Sequence, residues 1–166
     1  MVTKESDKNR AKAKNYAYVL LRNRPRSEKE LRERLKLKGF EDDVVDKVIA
    51  DLAKAGYVND AKFAKFLVDS RMHMNPVGDV LLKHQLKAKG ISDAIITSAI
   101  EDKSKAYDEY GLALDMARER FARFQKLDRR KAAKRVYDFL LRRGFKYDVI
   151  RRIIEEITNS INQTDI

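Results

Sequence analysis

Lys38-Gly39-Phe40, Lys89-Gly90-Ile91 and Arg143-Gly144-Phe145 are one motif used three times, at intervals of 51 and 54 residues. Seven positions can be read from each glycine, at offsets −8, −4, +1, +5, +6, +9 and +10. The first unit has Leu31, Leu35, Phe40, Val44, Val45, Val48 and Ile49 there. The second has Leu82, Leu86, Ile91, Ile95, Ile96, Ala99 and Ile100, and the third Val136, Leu140, Phe145, Val149, Ile150, Ile153 and Ile154. All 21 residues are apolar, against 43% for the whole chain. Offsets −8 and −4 are one turn apart and share a helix face. Offsets +5, +6, +9 and +10 make the apolar stripe of a second helix. The glycine supplies the left-handed residue that ends the first helix, and the apolar residue after it packs back.

The ends of these helices are marked too. Ser27 and Glu30 form an S-x-x-E capping box ahead of Leu31, and Pro25 marks the break before it. Asp42 and Ser92 are placed to cap the second helix of their units, and Asp128 the first helix of the last pair. Pro76 and Gly78 break the chain in the middle unit. A further helix precedes each pair: residues 15–22, 61–72 after Asp60, and 105–125. The reading is all-α: three tandem three-helix repeats at 15–58, 59–103 and 104–158, in an elongated, curved array. A basic N-terminal tail (1–14) and a C-terminal tail (159–166) flank them. No stretch alternates long enough to be a strand.

The 166 residues contain no Cys, which removes disulfides and thiolate chemistry, and only 6 Gly and 2 Pro. Residues 1–14 lack the apolar core of a signal peptide. No run approaches the roughly 20 apolar residues of a membrane span. A cytoplasmic, monomeric protein without membrane contact is expected. His73 and His84 have no metal-ligand spacing, and no phosphate-binding or nucleophile motif occurs. Neither enzyme activity, metal nor cofactor is expected.

The charge is segregated. The chain carries +11, with +8 in residues 1–38, −4 in 39–117, +10 in 118–152 and −3 in 153–166. Two such blocks point to a phosphate-rich or acidic partner, the competing reading being a solvated face that keeps the chain soluble. The candidate binding residues in the first block are Arg24, Arg26, Arg32, Arg34 and Lys36. Those in the second are Arg118, Arg123, Arg130, Lys131, Lys134, Arg135, Arg142, Arg143, Lys146, Arg151 and Arg152. Long Lys and Arg side chains with few base-reading Asn or Gln favour backbone contact over sequence readout. Tyr137 and Tyr147 lie among these charges; packing within the bundle is favoured over base stacking for both.

Asn23-Arg24-Pro25-Arg26-Ser27-Glu28-Lys29-Glu30-Leu31, followed by Lys38-Gly39-Phe40, resembles the first repeat of the RecX family of recombinase regulators. Leu52-Ala53-Lys54-Ala55-Gly56-Tyr57-Val58-Asn59-Asp60, with Phe63-Ala64 and Ser70-Arg71, is similar to the stretch that follows. Gly78 with Leu82, Leu86 and Lys89-Gly90-Ile91 resembles the middle repeat. Arg142-Arg143-Gly144-Phe145 with Tyr147-Asp148-Val149-Ile150 resembles the last. In the middle repeat, Val80, Leu81 and Gln85 replace polar residues frequent in the family. The resemblance implies a regulator that binds the RecA recombinase filament with its single- or double-stranded DNA. By the same resemblance it would lie in the filament's helical groove and restrain ATP hydrolysis and strand exchange. A stand-alone basic nucleic-acid-binding protein and a helical adaptor for an acidic protein are the alternatives.

Overall fold

The structure is a computed structural model and describes residues 4–159. The expected C-terminal tail lies outside the described residues except for Asn159, as do the first three residues of the N-terminal tail. The described residues form nine helices: α1 (Lys4–Asn23), α2 (Glu28–Leu37), α3 (Asp42–Lys54), α4 (Asp60–Met74), α5 (Asp79–Ala88), α6 (Asp93–Ala106), α7 (Glu109–Ala122), α8 (Arg129–Arg142) and α9 (Tyr147–Asn159). No strand occurs among them. They group as three consecutive three-helix repeats.

The glycine turns are built as the spacing predicts. Gly39, Gly90 and Gly144 take φ of 94°, 79° and 79°. In each turn the residue after the glycine donates its amide to the carbonyl five residues back. Phe40 bonds Leu35 at 3.3 Å, Ile91 bonds Leu86 at 3.2 Å and Phe145 bonds Leu140 at 3.3 Å. These bonds satisfy carbonyls that the helix end leaves open. Gly56 (φ 76°) makes a fourth turn of this kind at the end of α3, with Tyr57 bonded to Leu52 at 2.9 Å.

The chain divides into two compact units, one of residues 1–67 and 86–99, the other of residues 68–85 and 100–166. The core of the first unit joins Ala13 and Ala17 of α1 to Leu31 and Leu35 of α2 and to Val45, Val48, Ile49 and Leu52 of α3. The core of the second joins Ala113 and Ala117 of α7, Val136 and Leu140 of α8, Phe145, and Ile150, Ile153 and Ile157 of α9. Offsets −8 and −4 of all three repeats are fully buried.

Four local expectations need correction. α1 starts at Lys4, not near residue 15, because its early turns are held by small or charged residues rather than by a large apolar stripe. Ala13 and Ala17 let it lie close to its neighbours, and Arg10 pairs with Asp51 of α3 at 2.6 Å. The helix expected at 105–125 is two elements. α6 continues to Ala106, and Asp108 opens α7 by accepting the Gly111 amide at 3.0 Å. Asp42 does not cap α3: Glu41 holds that position without a side-chain bond, and Asp42 is the first helical residue, where its charge meets the helix dipole. The capping box is half formed. The buried Ser27 hydroxyl accepts the Glu30 amide at 3.1 Å, but the Glu30 side chain turns to two cations. The cap at Asp128 stands where expected, accepting from Arg130 and Lys131, and Ser92 directly precedes α6.

Candidate nucleic-acid interface

The basic residues fall into two classes: those held by the protein's own groups and those left on the surface. In the first unit, Arg24 grips Glu30 with both terminal nitrogens, at 3.0 and 3.1 Å, and Lys89 reaches the same carboxylate at 2.6 Å. Burial alone would raise the Glu30 pKa, but these two cations hold it down at about 2. Arg26 ties its Nε to the Leu20 carbonyl at 3.3 Å. Burial, with Arg24 and Arg34 nearby, moves Arg26 below the usual guanidinium range. Arg32 bridges Asp46 and Glu28, and Lys36 pairs with Asp42 at 2.8 Å. Arg34 is exposed, with no carboxylate partner among the described residues.

In the second unit the face of α8 is the densest cationic surface. Lys131, Lys134, Arg135 and Arg142, separated by three, one and seven residues, fall on one side of the helix, with Arg130 beside them. All five are exposed. The opposite side carries Ala132, Val136 and Leu140 into the core, which fixes the direction of the basic side. Asp138 is the one acidic residue of α8 and pairs with Lys134 at 2.9 Å. Arg135 lies over the Phe124 ring at 5.3 Å, which holds its stem down and leaves the charge in solvent.

The remaining candidates are more engaged. Arg118 bonds Glu156 at 2.8 Å, Arg123 pairs with Glu119 one turn away, and Arg151 lies 3.9 Å from Glu155. Arg152 covers the Tyr110 ring at 4.8 Å. Arg143 is half-buried over Phe139 at 5.5 Å; burial, then the charge of Arg71, lowers its pKa. Tyr137 and Tyr147 meet edge to face at 6.4 Å, the first half-buried and the second 65% exposed.

Lys146 belongs to a charged cluster that sequence reasoning missed. It reaches Asp79 at 3.2 Å; Asp79 also binds Lys103 at 2.7 Å, and Lys103 binds Glu109. Lys103 is 1% exposed. Burial works against charge on Asp79, but the two ammonium groups hold its pKa below the carboxylate range; burial pushes Glu109 up. Nothing local in Asp102-Lys103-Ser104 signals burial, since the carboxylates that Lys103 binds come from α5 and α7. The cluster is neutral when both carboxylates are charged, and its salt links suit it to fixing helix ends.

Among the described residues no three His, Asp or Glu side chains gather as a metal site, and no helix is long and apolar enough to cross a membrane. His73 sits against Tyr107, with Nδ1 2.7 Å from the Asp69 carbonyl oxygen.

Comparison with known proteins agrees with this architecture repeat by repeat. Residues 13–52, 59–100 and 107–154 match the first, second and third three-helix domains of RecX, in that order. Regulatory protein RecX of Clostridioides difficile (strain 630) is 32% identical over 148 residues, 89% of this chain and 69% of that protein. Regulatory protein RecX of Chlorobium phaeobacteroides (strain BS1) is 34% identical over 155 residues, 93% of this chain and 99% of that one. The crystal structure of RecX from Lactobacillus salivarius aligns with a TM-score of 0.76 at 26% identity, over 92% of this chain and 98% of that one. The three matched domains, in order and across most of the chain, make this protein a member of the RecX family of regulatory proteins.

Proposed function

We propose that this protein binds the RecA recombinase–DNA filament in its helical groove and slows its ATP hydrolysis and strand exchange, without catalysis of its own. Family membership supports a regulatory role. The exposed basic side of α8 carries the further step. Lys131, Lys134, Arg135 and Arg142 form a line of cations on a rigid helix whose other side is locked into a core. Such a line fits a polyanion whose charges repeat along an axis. Arg130 and Arg34 are further exposed contacts, while Lys134 of the line, like Arg24, Arg32, Arg118 and Arg123, reaches phosphate only by leaving a carboxylate. The reading places the protein in the cytoplasm, as a monomer.

The test is a recombinase ATPase assay on single-stranded DNA. The chain should inhibit, and the Lys131→Glu/Lys134→Glu/Arg135→Glu variant should inhibit much less with its fold intact. No inhibition by the wild type overturns the functional reading. Equal inhibition by the variant overturns the assignment to α8. A stand-alone nucleic-acid binder would bind bare and recombinase-coated DNA equally well.

A further inference from the structure

We propose that a cavity in the first unit, closed on one side by Tyr57, is a seat for one unpaired base of a single-stranded nucleic acid. The base would stack on the tyrosine ring, with its phosphate against Arg26 or Lys62. The inference rests on the DNA-contact part of the function above and adds a site that the basic side of α8 does not supply.

Tyr57 is the anomaly that points there. It follows the glycine of the fourth turn, so it occupies the position that Ile91 and Phe145 hold in theirs. Those two are 4% and 2% exposed, whereas Tyr57 is 57% exposed. Its backbone is fixed by the bond to Leu52. Its ring is held edge to face by Tyr18, with centroids 5.1 Å apart and planes at 76°. An aromatic ring that is oriented but uncovered is a stacking platform, and every base has a π-face to offer it.

The cavity beside it measures about 260 Å³, below the roughly 300 Å³ at which drug-sized ligand sites begin, so its size suits a single base. Leu21, Pro25 and Phe63 make its apolar wall, and its charged lining consists of Arg26 and Lys62 with no carboxylate. The nearby Asp60 is engaged elsewhere, accepting the Glu28 amide at 2.8 Å. Lys62 has no carboxylate partner among the described residues. Asn59 also lines the cavity. Its Oδ1 accepts the Lys62 amide at 2.9 Å, so its Nδ2 remains to donate to an acceptor on a base edge. A planar platform, an amide donor and two cations form the recognition set for a nucleotide. An acidic peptide would use the cations but has less need of the platform.

The experiment measures equilibrium binding of the full chain to a labelled fifteen-residue oligothymidylate and to a strand of equal length with abasic residues. The two probes carry the same phosphates and differ in their bases. Tyr57→Ala should weaken oligothymidylate binding from about fivefold to about a hundredfold, the range of one lost base–aromatic stack, and leave abasic binding unchanged. Tyr57→Trp should retain binding, and oligothymidylate should quench its fluorescence. Equal losses on both strands, or none on either, overturn the base seat while leaving salt-dependent binding through α8 standing. Unchanged oligothymidylate binding with weakened recombinase inhibition would assign the cavity to a protein partner and also overturn it. Failure of the wild type to bind either strand removes the DNA-contact reading and the seat together. Because the Tyr57 side chain stands outside the core, the variants should melt close to the wild type, which thermal unfolding checks.

Discussion

Gly78 and Gly144 are packed backbone to backbone. The Gly78 amide donates to the Arg143 carbonyl at 2.9 Å, and the Val80 amide donates to the Gly144 carbonyl at 3.2 Å. A Cβ on Gly78 would overlap the Gly144 carbonyl, and a Cβ on Gly144 would overlap the backbone of Leu81. The start of α5 thus seats on the turn between α8 and α9. Inside the first unit the start of α2 meets the turn between α5 and α6 through a side chain: Lys29 lies against Gly90, and its Nζ donates to the Ala88 carbonyl at 3.2 Å. The two junctions join equivalent parts of successive repeats.

The turn glycines should therefore differ sharply in tolerance. Gly39 has φ of 94° with open space where a Cβ would go, so Gly39→Ala pays only left-handed strain, about 1–2 kcal/mol. Gly144→Ala adds a collision with Leu81 and should cost at least about 3 kcal/mol. Urea unfolding of the two variants compares them; equal midpoints would contradict the close packing.

The first junction should be acid-sensitive. Glu30 has its pKa lowered from 4.5 to about 2 because Arg24 and Lys89 outweigh the effect of burial. A carboxylate depressed in the folded state contributes stability that is complete above pH 4.5 and is lost as pH falls toward about 2. With both cations about 40% exposed, solvent screening leaves a contribution of about 1–3 kcal/mol. Glu30→Gln should lose that amount at neutral pH and show a shallower stability decline between pH 4.5 and 2. Parallel curves for the two proteins would count against the ion triad.

Lys103→Met should be among the most damaging single changes in the second unit. It removes a cation that is 1% exposed and leaves Asp79 and Glu109 facing each other, with only Lys146 as a counter-charge. Breaking a buried ion pair from one side costs about 3–5 kcal/mol. Thermal unfolding measures it. Adding Asp79→Asn and Glu109→Gln should recover part of the loss, because no carboxylate is then left without its buried partner and the half-exposed Lys146 can turn to solvent.

Binding to the filament or to DNA should depend steeply on salt. If about six cations, including Lys131, Lys134, Arg135 and Arg142, meet phosphates, log affinity falls with log salt at a slope near −5. Each charge removed from that side of α8 should reduce the slope by about one. Titrations from low to moderate salt read this directly, and a slope near zero rules out phosphate contact.

Much of the architecture was legible along the chain because its causes are local. An apolar stripe needs only helical spacing, a helix stop needs one left-handed glycine, and a cap needs one side chain next to the first turn. Hence Leu31, Leu35, Val136 and Leu140, the turns at Gly39, Gly90 and Gly144, and the caps at Ser27 and Asp128 all stand where the pattern puts them. The early turns of α1 were hidden because Ala13 and Ala17 act through small size, which leaves no conspicuous stripe. The break before α7 was hidden because one aspartate cap interrupts an otherwise helical composition.

The candidate interface was legible only as a list of cations. Composition places Arg24, Arg32 and Lys131 in one class, yet the fold gives the first two carboxylate partners and leaves the third in solvent. Nor does any spacing announce that Lys103 is buried or that Tyr57 is not. The amino-acid order alone determined the three-helix brick, its threefold use and the segregation of charge, since each follows from interactions within about one turn of chain. Tertiary structure decided which charges are quenched, which glycines touch and which aromatic stays open. Those outcomes depend on groups such as Glu30 and Lys89, or Gly78 and Gly144, that are far apart in sequence and meet only when helices pack.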